Sequence, residues 1–313
     1  MIRRRLLSGM PGGIRIPRRR SKLSARENRW GWFFILPFVS LFTVFGLLPI
    51  GIAGWLSFVD WHPLATTPFV AFRNYQALLA NAAFRKAIWN SFYYAVMTVP
   101  AGIALALFIA ILIHSLRSGA AKSLWQAVFY LPGVVSGIAV AIIWRFMFDY
   151  EHGLLNYFVT SLFGIERVAW LGNVHTALPS LALMALLSSP GGAVIIFVAA
   201  LGGIPKDLYE AAELDGAGFW RRHSAVTLPL IVPSFLYIFV MSTLGAMQVF
   251  VPIWLLTRGG PVYSTMTVAY FIYNQLMYYN NAGTAAAGGV VLLALTVGFT
   301  ILQFRAFAQV VEF

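Results

Sequence analysis

The sequence predicts an all-α integral membrane protein of six transmembrane helices, and three observations carry that expectation. Apolar residues make up 60% of the 313 and charged residues only 10%, against roughly 25% charged in a soluble domain. The apolar residues fall in uninterrupted stretches long enough for a span, which needs about 20 of them. The net charge of +12 is concentrated at one end. A soluble fold needs charge on its outer face, so these stretches face lipid or one another. The chain has no cysteine, which excludes a disulfide framework and a thiolate metal site.

Residues 1–29 form a basic arm with ten of the 22 Lys and Arg. An apolar run follows at once, the usual arrangement of a cytoplasmic anchor against lipid headgroups. A nucleic-acid arm is disfavoured because no aromatic residue interrupts the run before Trp30. A cleaved signal peptide does not fit either, since the apolar run is about twice the length such a peptide carries and continues through Pro37 and Pro49.

Reading between charges places spans at Trp30–Val59, Ala87–Ile113, Ser123–Trp144, Thr176–Ile204 and Ser224–Thr257, with a sixth over 284–304. Residues 262–281 mix tyrosines with Asn274, Gln275, Asn280 and Asn281 and suit an interfacial or cavity-facing segment; a seventh span there stays open. With the N-terminus inside, 16 basic residues lie on the cytoplasmic side and six on the other, as the positive-inside rule requires. The prolines within spans read as kinks tolerated inside a bundle. Gly133 and Gly137 have the spacing of a close helix–helix contact.

Catalytic chemistry is sparse. Asp149 and Glu151 stand two apart beside His152 and could serve acid–base work, but read better as a solvated turn. The five histidines have no metal-ligand spacing, so no metal site is expected. No phosphate-binding G-x-x-x-x-G-K-[ST] loop occurs, so any ATP in the process belongs to another chain.

The loop 204–229 stands out. Pro205 suits the first helical position, Asp207 the positive end of the helix dipole, and Gly216 the stop. Leu208, Ala211, Ala212 and Leu214 share one broad side. A second turn, Phe219-Trp220-Arg221-Arg222-His223, leads into the fifth span. An interfacial loop helix is the plain physical alternative.

Here a family resemblance becomes specific. Glu210-Ala211-Ala212, three residues, Gly216, nine residues, Val226, one residue, then Leu228-Pro229 resembles the EAA signature of membrane subunits of ATP-binding-cassette importers, with Val226 where isoleucine is usual. Phe72-Arg73-Asn74-Tyr75, Phe129-Tyr130-Leu131-Pro132, Ile143-Trp144-Arg145-Phe146, Gly153-Leu154-Leu155-Asn156, Gln248-Val249-Phe250 and Thr257-Arg258-Gly259-Gly260-Pro261 resemble the branch that carries sugars, polyols and glycerol-phosphate-type solutes.

The resemblance covers roughly residues 30–305, read as a transmembrane permease domain, with 306–313 a short tail. It implies the type I importer permease fold with a cytoplasmic coupling helix, in a bacterial or archaeal inner membrane. The implied partners are a second, usually different permease, two ATPase subunits holding ATP and Mg, and an extracytoplasmic solute-binding protein. No cofactor is expected on this chain. Glu210, Ala211, Ala212, Asp215, Gly216, Leu228 and Pro229 would couple to the ATPases. Ser188, Ser189, Ser242, Thr243 and Gln248 are candidate solute contacts, because a sugar needs hydroxyl and amide partners. Relatives carry a Trp-Lys-Gly-type stretch where this chain has Leu187-Ser188-Ser189-Pro190-Gly191-Gly192, and the smaller residues would widen a cavity. The competing classes are a multispan enzyme built on Asp149/Glu151 and a stand-alone channel needing no partner at the elbow.

Overall fold

The computed structural model describes residues 22–61, 67–188 and 190–307. Of the basic arm 1–29, residues 1–21 therefore lie outside it, as do Ser189 and residues 308–313 of the tail. The chain divides into two compact units, Met1–Ile52 and Ala53–Phe313. Among the described residues all regular structure is helical, apart from one isolated bridge between Val59 and Phe69.

In the first unit, α1 (Lys22–Phe42) runs through Pro37 into a π-helical turn, Thr43–Leu47, and on into α2 (Leu48–Leu56). The helix thus reaches back to Lys22, into the segment read as arm. Trp30–Leu56 is long and apolar enough to cross a membrane.

The second unit begins at Ala53, within α2. Short α3 (Arg73–Ala80) carries Asn74, whose Nδ2 donates to Ser57 O and Val59 O at 3.0 and 2.9 Å, and Tyr75, whose hydroxyl meets Ser57 Oγ at 2.7 Å. The Asn-Tyr of the Phe72–Tyr75 motif therefore satisfies backbone and side-chain groups where the chain leaves the first span. Asn81 caps α4 (Ala82–Ser115) by accepting from the amides of Ala83 and Phe84. At 34 residues α4 is the central post, packed against α8, α9, α13 and α14.

The third expected span is two helices, α5 (Gly119–Val134) and α6 (Gly137–Met147), meeting at 91°. Gly133 and Gly137 flank this break, and a Cβ at either would meet nothing within 4 Å. The pair thus marks a corner and not the expected helix contact. α7 (Leu154–Phe163) starts at the Gly153–Asn156 motif. The fourth span is likewise α8 (Ala177–Ser188) and α9 (Gly191–Gly202).

α10 (Lys206–Leu214), α11 (Phe219–Arg222), a π-helical turn His223–Thr227 and α12 (Leu228–Leu230) form an elbow before α13 (Val232–Met247). The fifth span is therefore bent by 71° at Ile231. The cause is local: the ring of Pro233 opposes the carbonyl of Pro229 four residues back and offers it no N–H.

Residues 262–281 contain α14 (Val268–Met277), whose ten residues are too few to cross. Val268, Tyr270, Phe271 and Gln275 are buried, and α14 packs on α4 and α15 (Ala282–Phe307). The segment holds a half-length helix packed on the bundle and not a seventh span, while Tyr263, Tyr278 and Tyr279 at its two ends are exposed. Among the described residues three helices are long and apolar enough to cross a membrane, or up to six if each bent pair is one span.

The main core gathers Phe84, Leu181, Phe197, Leu201, Met247, Ile253 and Val268 around α4. A second, smaller core of Ala141, Trp144, Phe148 and Met184 lies beneath α7 and the 168–171 turn.

Candidate functional site

The elbow has the features of a docking element tied to the bundle. Pro205 stands one position earlier than expected, as N-cap to α10, and Asp207 lies in its first turn. At the other end Gly216 takes φ +77°. Its amide donates to Glu213 O at 3.0 Å and that of Ala217 to Ala212 O at 2.9 Å. This double bond closes the helix and demands the left-handed residue that glycine supplies.

The inward face of the elbow differs from the expected apolar side. Tyr209 packs against the main core with Val226, and its hydroxyl meets Thr227 Oγ1 at 2.9 Å. Thr227 is buried and also bonds His223 Nδ1 at 2.9 Å. A cleft of about 270 Å³ between elbow and bundle is lined by Ile111, His114, Ser115, Leu201, Tyr209, Arg222 and His223. The elbow therefore abuts the C-terminal ends of α4 and α9.

Its outward face is Leu208, Glu210, Ala211, Glu213 and Leu214, followed by Trp220, with Leu214 90% and Trp220 83% exposed. Ala212 is half-buried, while Asp215, Gly216, Leu228 and Pro229 are exposed. No residue of α10 is buried. Arg222 and Glu213 form an exposed ion pair at 3.1 Å, a contribution of about 0–1 kcal/mol.

The bundle bears a second, open cavity of about 270 Å³, lined by Tyr94, Thr98 and Ser242 together with Gly102, Leu186, Pro190, Ala193, Gly245 and further apolar residues. Of the four expected solute contacts among the described residues, Ser242 alone lines it. Ser188 Oγ accepts from Trp144 Nε1 at 2.7 Å. Thr243 Oγ1 donates to Phe239 O and accepts from Gln303 Nε2 at 2.7 Å, in a separate crevice between α4, α13 and α15. Gln248 is exposed at the end of α13, and Ser189 is outside the described residues. Tyr94 and Thr98 were missed because a hydroxyl in a span reads as packing; Thr98 does bond its own helix, to Tyr94 O at 2.8 Å.

The small residues of 187–192 have a second explanation. A Cβ at Gly191 would lie 2.3 Å from Phe129 O and 2.6 Å from Tyr130 Cα. Gly191 lets α9 press on the α5 backbone.

Asp149 serves a turn. Its Oδ1 accepts from the amides of His152 and Glu151 at 2.8 and 3.0 Å, and these bonds, that of His152 foremost, hold its carboxyl below the ordinary value. A carboxylate used in this way is not a general base poised near neutrality. Among the described residues no cluster of three potential metal ligands occurs.

Comparison with known proteins agrees with this anatomy. Residues 87–308 match the family described as binding-protein-dependent transport system inner membrane component. The chain is 30% identical over 288 residues to the trehalose/maltose transport system permease protein of Thermococcus litoralis, covering 91% of this chain and 96% of that one. It is 33% identical over 300 residues to the diacetylchitobiose uptake system permease protein of Streptomyces coelicolor, covering 92% and 84%. A chain of the bacterial alginate ABC transporter, crystallised with alginate pentasaccharide-bound periplasmic protein, superposes with TM-score 0.79 at 21% identity, covering 93% and 98%. A bent-span bundle with an exposed elbow and a match over most of the length make this chain a member of the binding-protein-dependent transport system inner membrane components, the membrane-embedded permeases of ABC importers.

Proposed function

We propose that this permease forms half of an importer's pathway for a sugar or oligosaccharide, and that the elbow transmits the work of ATP to it. The observation that carries the reading is continuity. α10 bears the exposed Glu210–Leu214 face, Tyr209 behind it packs with Val226 on the main core, and the elbow runs on into α13, which brings Ser242 to the cavity wall. A push on the elbow reaches the cavity through this packed contact.

The solute class follows from the cavity and from the relatives. Tyr94, Thr98 and Ser242 offer hydroxyls, and no charged residue lines the cavity among those described, which suits a neutral polyhydroxylated solute. The relatives' names mention trehalose, maltose and diacetylchitobiose. The remaining partners are a second, different permease chain, two cytoplasmic ATPases that bind ATP and Mg and receive Glu210, Ala211, Ala212, Asp215, Gly216, Leu228 and Pro229, and an extracytoplasmic binding protein. The N-terminus and the elbow end face the cytoplasm.

The test is ATP-driven uptake of labelled maltose, trehalose and diacetylchitobiose by the complete transporter in vesicles, with ATPase pull-down alongside. Glu210→Lys reverses a charge on the outward face, and Gly216→Pro cannot adopt φ +77°. Uptake and ATPase association should both collapse while the amount of inserted permease is unchanged. An intact ATPase complex with normal uptake would reduce the elbow to a loop helix.

A further inference from the structure

The Ile143–Phe146 and Gly153–Asn156 motifs are not used by either cavity or elbow, yet the structure joins them. Asn156, 2% exposed, lies at the start of α7. Its Oδ1 accepts from Trp170 Nε1 at 2.9 Å and from the Val168 amide at 3.0 Å, and its Nδ2 donates to Tyr150 O and Val168 O, both at 3.0 Å. The Trp170 ring lies 6.1 Å from that of Phe148, which lies 5.1 Å from that of Trp144. Trp144, 9% exposed, then donates its indole N–H to Ser188 Oγ at 2.7 Å.

Ser188 is the last residue of α8, at the break before Pro190 and α9. Ala185, Leu186, Pro190 and Ala193, on both sides of that break, line the cavity. The contact from Trp144 thus fastens the broken wall of the cavity to the second core at the α8 end, where Ser180 Oγ, two turns back, donates to Trp170 O at 3.0 Å and Met184 of α8 is itself part of that core. That core is buried, and close-packed interiors shift between discrete arrangements instead of deforming continuously.

We propose that Trp144 is a positioning residue for transport: through Ser188 it sets the width of the cavity at the α8–α9 break, and Asn156 and Trp170 fix Trp144 from the outer surface. The inference rests on the preceding reading only in taking the cavity as the solute's route. The relay would make the outer turn a place from which an arriving partner alters the cavity.

The cysteine-free chain gives a readout that needs no solute. In the complete transporter, Ala193→Cys places one thiol on the cavity wall, and its alkylation rate reports access. Trp144→Phe keeps one aromatic ring and removes the N–H with the ring that carries it; Ser188→Ala removes only the acceptor. Each should change the alkylation rate by roughly five-fold, the worth of one ordinary hydrogen bond. The double variant should match the singles, because both delete the same contact. Uptake of maltose should show a raised KM with little change in maximal rate.

Unchanged alkylation in both singles, or effects that multiply in the double variant, would overturn the proposal. Altered alkylation with unchanged uptake KM would leave the relay standing and remove the cavity from the solute's route. Lower insertion with unchanged alkylation and KM would mean that Trp144 only stabilises the fold.

Discussion

Asn156 illustrates how much one side chain can hold in place. Substituting leucine strands Trp170 Nε1 and the amide of Val168, at about 1–3 kcal/mol for each group that stays buried. Limited proteolysis between residues 150 and 170 should accelerate at least ten-fold in Asn156→Leu, while cleavage elsewhere is unchanged. At Gly191 the constraint is steric. A methyl group 2.3 Å from Phe129 O forces α9 away from α5, and overpacking of this kind costs about 1–3 kcal/mol. Gly191→Ala should lower the detergent-solubilised protein's Tm, whereas Gly192→Ala, with nothing within 4 Å, should not. Solute contacts were poorly legible at this scale because hydroxyls acquire their roles from distant partners. Trp144 lies 44 residues before Ser188, and Gln303 lies 60 after Thr243. Nothing in the local pattern of a serine reveals such a partner: Ser242 lines the cavity, while its neighbour Thr243 turns to Gln303 of α15.

Among the elements, α10 was legible in nearly all its parts, since caps and stops act within a few residues. Its inward face was not. Tyr209, which the helical pattern left aside, is the residue that packs. Tyr209→Phe keeps that packing and removes the bond to Thr227, about 1 kcal/mol of net interaction. ATP hydrolysis by the complex should persist while solute carried per ATP falls, as measured by simultaneous uptake and phosphate release. Arg222→Ala should do little by comparison, its ion pair being exposed. The long helices α4 and α15 were plain from hydropathy. The corners at 91° and 71° were not, because hydropathy sums over a window and carries no direction. Pro233 was a usable signal at the second corner. At the first, the two glycines imitated a packing pair.

For the whole molecule, composition decided the class and the elbow signature the family, both before any geometry. What the sequence could not place was α14, since its mixture of tyrosines and amides is equally suited to an interface and to a bundle interior. Its position follows from α4, whose Ser91 Oγ accepts the amide of Val268 at 3.0 Å and whose Asn90 Nδ2 donates to Tyr263 O and Met266 O. The same helix meets the elbow at Ile111, His114 and Ser115. From Asn90 to Ile111 a helix rises about 32 Å, close to the roughly 30 Å of a bilayer's hydrocarbon. The two working ends of the permease are therefore held at a separation set by one nearly incompressible ruler, and the lipid must fit the ruler. Mismatch is relieved by tilt, and tilting this rod turns the outer loop and the elbow in opposite senses about its middle. Uptake by the transporter in vesicles of graded acyl-chain length should therefore peak where the hydrocarbon matches the rod, and a flat profile would show that its tilt is not felt at the two ends.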